Sequence, residues 1–170
     1  AMFERADYVA LVHVDSIDGA DNYAEVIDQP VRIFTYGQFT VIDSFKGDLE
    51  IGKTTNFYRV GGTMSVDDYC KHASESRCSK MDALDPGKDN VSYVVSGDID
   101  IEAGKVYLAY LKKDEALRTA EGYTFQENQG GLREVQSSAN YSADSNPSDI
   151  KILNNFTGDW ESLSSIIPQE

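Results

Sequence analysis

The stretch GDLEIGKTTNFYRV, residues 47 to 60, admits two incompatible readings. Its first eight residues satisfy G-x-x-x-x-G-K-[ST], the pattern of a phosphate-cradling loop. Such a loop must follow a strand and open a helix, because the helix N-terminus and the loop amides bind the phosphates together. After Lys53, however, the chain runs on as TTNFYRV, which is β-branched and aromatic. Asp48 and Glu50 would also face the nucleotide's own negative charge. The stretch therefore reads as a turn followed by a strand, and it predicts no nucleotide binding.

The same β pattern spreads outward from this point. Upstream, ADYVALVHVDSI (6 to 17) is apolar or β-branched at most positions and reads as a long first strand that ends in the turn-rich DGADN. RIFTYGQFTVIDSF (32 to 45) is a second strand, in which Gly37 marks a bulge or sharp bend of the kind a barrel corner needs. The third strand, Thr54 to Val60, stops at Gly61-Gly62. A polar excursion follows over about residues 63 to 98, relieved only by SYVV at 92 to 95. In GKVYLAYLKK (104 to 113), Val106, Leu108 and Tyr110 on one face and Tyr107, Ala109 and Leu111 on the other predict a strand covered on both sides. GYTFQE and LREV read as two short strands joined by Asn-Gln-Gly-Gly. From about residue 137 a Ser/Asn/Asp-rich surface loop leads to DWESLSSII, where Asp159 as N-cap and Trp160, Leu163, Ile166 and Ile167 at helical spacing predict one short helix, plugging a barrel or packed on its side. Five or six strands without long amphipathic helices give an all-β barrel rather than a parallel α/β sheet.

Composition bounds the partners. With 170 residues and 41% apolar content, the chain is long enough for one core, and it is expected to form a single domain. Its 29 acidic against 15 basic residues give a formal charge of −14, which repels nucleic acid and anionic membrane. No apolar run approaches the length that would cross a bilayer. In AMFERADYV at the start, Ala1 and at most Met2 read as a cloning remnant, which leaves room for a signal peptide or lipid anchor removed upstream. The two cysteines, Cys70 and Cys78, lie in the polar CKHASESRC, which reads as an exposed loop; they predict a disulfide and an oxidising compartment.

Taken together, Ala6-Asp7-Tyr8-Val9 opening the first strand, Lys46-Gly47 ending the second, and then LEIGKTTNFYRVGG, AGKVYLAYL, GYTF and GGLREV resemble the netrin-like, or tissue-inhibitor-of-metalloproteinase-like, OB barrels. The likeness is nearest to small secreted or lipid-anchored bacterial proteins of that shape and spans about residues 5 to 136. It implies a five- to six-stranded OB-like barrel, closed or partly open, in which Gly47 and Gly52 bracket an ordinary turn. Inhibitors of that superfamily chelate a protease's zinc through a free N-terminal cysteine. This chain has no cysteine before Cys70, so that mechanism does not carry over. OB barrels often bind along the face of their second and third strands, which makes Tyr36, Tyr58 and Arg59 the candidate binding face. Tyrosines in strands serve either as core filling or as a binding platform.

Other chemistry is thin. His13 and His72 are the only histidines; His13 is expected to face solvent or satisfy a hydrogen bond, and His72 with Cys70 and Cys78 has no finger spacing, so the disulfide is the better reading. Asp15, Asp18 and Asp21, and the alternating Asp98, Asp100 and Glu102, do not form a calcium loop and read as solvated carboxylates. Asn90, Asn140 and Asn155 fit the N-glycosylation acceptor pattern, which matters only in a eukaryotic source. The expected function is a non-catalytic binding module at the cell surface or outside the cell, without metal or cofactor, whose partner is an extracellular protein or glycan. The alternative is a protease inhibitor that acts without N-terminal chelation.

Overall fold

The computed structural model describes residues 2–114, 116, 121–126, 129–136 and 141–168; the acceptor Asn140 and the start of the C-terminal extension, 137–140, lie outside them. The chain is mostly β with minor helix. A first helical turn α1 (Met2–Arg5) precedes two long strands, β1 (Tyr8–Ala24) and β2 (Gln29–Lys46), and then β3 (Thr54–Val60). Next come β4 (Gly62–Ser65), α2 (Val66–Cys70), α3 (Glu75–Leu84) and β5 (Asn90–Tyr93). The chain continues through β6 (Val106–Asp114), β7 (Gly122–Phe125), β8 (Leu132–Glu134), β9 (Lys151–Leu153) and β10 (Trp160–Ser162) to a 3-10 turn, Leu163–Ser165.

β1, β2 and β3 pair in antiparallel succession, β3 pairs in parallel with β7, β7 pairs antiparallel with β6, and β6 pairs back onto β1 from His13↔Val106 to Tyr8↔Leu111. β8 takes the remaining length of the β6 edge beside β7. The two faces of β6 divide the core as its sequence predicts. Tyr107, Ala109 and Leu111 join Ala10, Val12, Val14, Phe39, Val41 and Phe57 in one cluster, while Leu108 and Tyr110 join Val9, Leu11, Ile150, Ile152 and Leu163 in another. Strand alternation sends successive residues of β1 and β6 to opposite clusters. Removing a ring such as Phe57, fully buried in the first, should cost about 3–5 kcal/mol.

The irregularity expected at Gly37 lies in the strand opposite: the extra residues, Asp15 and Asp18, belong to β1, while β2 pairs with β3 without a break through Gly37. Gly37 opposes Ile17 between two register shifts of the β1–β2 ladder, at Val14/Ser16 and Ile17/Gly19. A Cβ there would stand 2.1 Å from the Ser16 carbonyl oxygen and 2.9 Å from the Phe57 ring. At the false phosphate loop the chain makes a turn and enters β3, not a helix. Gly47 and Gly52 hold φ of 78° and 82°, and Gly52 N–H donates to the Val41 carbonyl at 2.8 Å.

Three expectations are corrected. β1 does not end before DGADN: pairing with β2 carries it to Ala24 through bulges, so Asp18 and Asp21 lie in a strand and the turn falls at 25–28. CKHASESRC is no loop: Ser65 and Ser74 side chains cap α2 and α3, accepting from the amides of Asp68 and Arg77, and Cys70 and Cys78 sit within the two helices. DWESLSSII is not one helix. Trp160 to Ser162 pair with β9, and only a 3-10 turn follows, because the pairing Glu161↔Ile152 and burial of Leu163 beside β1 and β6 outweigh helical spacing. This segment packs on the side of the main sheet, with Ile166 and Ile167 against the second cluster.

Candidate functional site

β3 ends in two glycines because its chain must turn sharply across β2. Gly61 and Gly62 hold φ of 103° and 145°, where a side chain is strained, and a Cβ on Gly62 would stand 2.5 Å from Thr35 Oγ1. Gly61 N–H donates to the Ile33 carbonyl at 2.7 Å, and Thr35 Oγ1 donates to the Gly61 carbonyl at 2.8 Å. The glycine backbone thereby forms part of the floor of an open groove of about 490 Å³. Its walls come from the second half of β1, from Arg59 and Val60, from the end of β5, and from the segment 94–101.

Arg59 fixes the far wall. Its guanidinium donates to the Asp98 carboxylate and to the Ile99 carbonyl, while Ile99 N–H donates back to Asp98 at 2.9 Å. The side chains of Arg59 and Asp98 are only 11% and 15% exposed, so losing either would strand a poorly solvated charge, at a cost of about 3–5 kcal/mol. Asp18 and Asp100, also lining the groove, are exposed and have no ion pair among the described residues. The apolar side chains Ile17, Val60 and Val94 are exposed along the same groove, Val94 at 81%. The groove is thus mixed in character, with exposed aliphatic side chains standing beside two uncompensated carboxylates.

Of the candidate face, Arg59 lines this groove and the two tyrosines do not. Tyr36 and Tyr58 are direct cross-strand partners, so they share the opposite face of β2 and β3 from Thr35 and Arg59. Tyr58 is buried, packed edge-on against Phe34 and so close to β7 that a Cβ on Gly122 would reach 2.4 Å from its ring. The Tyr36 hydroxyl lies over Gly19, which has no side chain to obstruct it. Tyr58 is thus a packing residue, while Tyr36 is half-buried. Asp98 pairs with Arg59, while Asp100 stays exposed on the same groove. The Gly61-Gly62 pair is the one local signal for the groove; the approach of residues 94–101, some 40 positions later, has none.

Cys70 and Cys78 form a disulfide, with Cα atoms 6.0 Å apart, that ties α2 to α3. This pair of helices is pinned to the tip of the β1–β2 hairpin: His72 stacks on Tyr23 at 4.3 Å, and buried Asn22 donates to the Tyr69 carbonyl at 2.9 Å. His13 meets Asp15 at 2.7 Å on an exposed face, as its strand position suggests. Among the described residues no three of His, Cys, Asp and Glu converge as a metal would require, and no helix is long and apolar enough to cross a membrane. No family model matches the chain, nor does any curated protein or solved structure.

Proposed function

We propose that the protein is a non-catalytic binding module of an oxidising, extracellular setting, and that its groove beside Gly61-Gly62 holds a cationic, apolar-flanked segment of another protein. The observation that carries this is the lining itself: exposed Ile17, Val60 and Val94 beside the unpaired carboxylates of Asp18 and Asp100, on a backbone floor braced by the Arg59–Asp98 pair. The exposed aliphatic side chains of Ile17, Val60 and Val94 favour a protein segment over a glycan, and a chain of charge −14 attracts cations at long range. The disulfide supports the oxidising compartment. The circuit of pairings from β1 through β2, β3, β7 and β6 back to β1, with β3 and β7 parallel, supports an OB-like barrel of the kind the sequence resembles.

The test is a titration with two capped peptides, one alternating lysine with valine and one alternating glutamate with valine, followed by fluorescence anisotropy of a dye on the peptide. The lysine peptide should bind, more weakly at high salt. Its affinity should fall about tenfold in the double variant Asp18→Asn, Asp100→Asn, because a hydrogen bond to a charged group is worth roughly 1.5–3 kcal/mol before solvent screening. Val94→Glu reports on the apolar contribution. Equal binding of both peptides, or no effect of these exposed substitutions, refutes the assignment.

A further inference from the structure

Among the described residues, Arg32 and Arg77 have no carboxylate partner, although the chain carries 29 acidic residues. Both line a second trough, of about 550 Å³, which shares Ser92 and Tyr93 of β5 with the groove above and otherwise has its own lining. Each guanidinium rests on a tyrosine instead. Arg32 lies 5.5 Å from the centre of the Tyr93 ring, and Arg77 Nη1 donates to the Tyr69 hydroxyl at 3.4 Å. A guanidinium held on an aromatic residue keeps its forked donors available, and carboxylate is the group they fit best.

The trough also presents backbone. Residues 30–33 of β2 and 91–93 of β5 line it consecutively. Alternating side chains alone would give every second residue, so the strand edges themselves contribute to the walls. Among the described residues β5 pairs only with β4; of residues 30–33 only Pro30 has a partner in the β1 ladder, 31–33 fall in a register shift of that ladder, and the Ile33 carbonyl accepts from Gly61. An unpaired edge is a template for an added strand. The disulfide preorganises the cationic side: Arg77 adjoins Cys78, bonded to Cys70, and Tyr69 beside it is buried and fixed by Asn22.

We propose that this trough, independently of the groove already assigned, binds an extended segment of a partner protein laid along the β5 edge, apolar in character and carrying one or two carboxylates that Arg32 and Arg77 fork. Pro30, Val31 and Val91 receive the apolar side chains. The net charge of −14 disfavours a polyanion such as a sulfated glycan, whose many charges two arginines do not neutralise, and leaves a sparsely acidic peptide as the occupant.

The probe is a capped eight-residue peptide of valines and threonines with two glutamates, compared with its glutamine counterpart and with a sulfated oligosaccharide. Saturable binding of the glutamate peptide is expected, weakened about tenfold in the double variant Arg32→Gln, Arg77→Gln, and weakened also in Cys70→Ser, Cys78→Ser, which frees α3. The variants' folding is checked by melting, and Asp18→Asn, Asp100→Asn should leave this binding intact, which separates it from the first groove. Amide chemical shifts should move in β5. No saturation by about 1 mM, equal affinity for the glutamine peptide, preference for the oligosaccharide, or indifference to the arginine variants in folded protein overturns the proposal.

Discussion

Replacing Gly37 by alanine tests whether the crossing of β1 and β2 is a steric necessity. The added methyl would stand 2.1 Å from the Ser16 carbonyl oxygen, a backbone atom held in the ladder, and 2.9 Å from the Phe57 ring, which is fully buried. Neither neighbour can swing aside, so the strands must separate or the ring must leave its rotamer, an overpacking cost of about 1–3 kcal/mol. Alanine also stiffens the unfolded chain, which returns roughly 0.4–1 kcal/mol. The net expectation is a loss of about 1–2 kcal/mol, or roughly 2–8 °C in melting temperature for a chain of this length. Gly104→Ala is the control: φ there is 87° but no atom lies within 4 Å, so its cost is conformational and about 1 kcal/mol. Thermal melts by circular dichroism compare the two. A Gly37→Ala protein that melts within about 1 °C of the parent, well inside the expected shift, would show that the ladder yields freely and that the bulge is not imposed by this contact.

Reduction of Cys70–Cys78 removes a constraint worth about 2–3 kcal/mol in the chain-entropy model, and hydrogen exchange should accelerate over α2 and α3 while β1 and β6 keep their protection; uniform loss of protection would contradict this. Burial raises the Asp43 carboxyl above its ordinary 3.8, outweighing the Ser44 amide that lowers it, with Asp144 adding to the rise. An acid whose folded value is raised binds its proton more tightly when folded, so it destabilises the fold once pH passes above that range. Asp43→Asn should therefore raise the melting temperature near neutral pH and make no difference well below 3.8, and a variant no more stable at neutral pH would dispose of the argument. Calorimetric titration with ATP and magnesium should release no heat at residues 47–54; saturable binding abolished by Lys53→Ala would reverse the reading of that turn.

What is legible in the sequence is what short-range pattern encodes. TTNFYRV is β3 to the residue, the double-sided apolar pattern of 106 to 111 is the divider between the two clusters, and Gly37 stands opposite the bulges of β1. Asp18-Gly19 reads as a turn because its residue types favour one, but long-range pairing with Thr35 and Tyr36 absorbs it into a strand. The excursion reads as loop because α3 buries no residue and carries no apolar stripe, although Ser65 and Ser74, each three residues before a bonded amide, are usable caps. The candidate site is half visible. Arg59 can be placed on a strand, but its face relative to Tyr58, and its partner Asp98 some 40 residues on, depend on topology that no local pattern carries.

The return of β6 to β1 also bears on how a growing chain reaches this fold. The β1–β2 hairpin can form early from neighbouring residues, yet the other edge of β1, with Val9 and Leu11 beside it, finds its partner only after Asp114 has been synthesised. At about 5–20 residues per second, that edge waits on the order of 3–14 s after Lys46 is made. During that time the nascent hairpin is an apolar ribbon with an open side, and its safety rests on whatever holds the ribosome-bound chain apart from other copies.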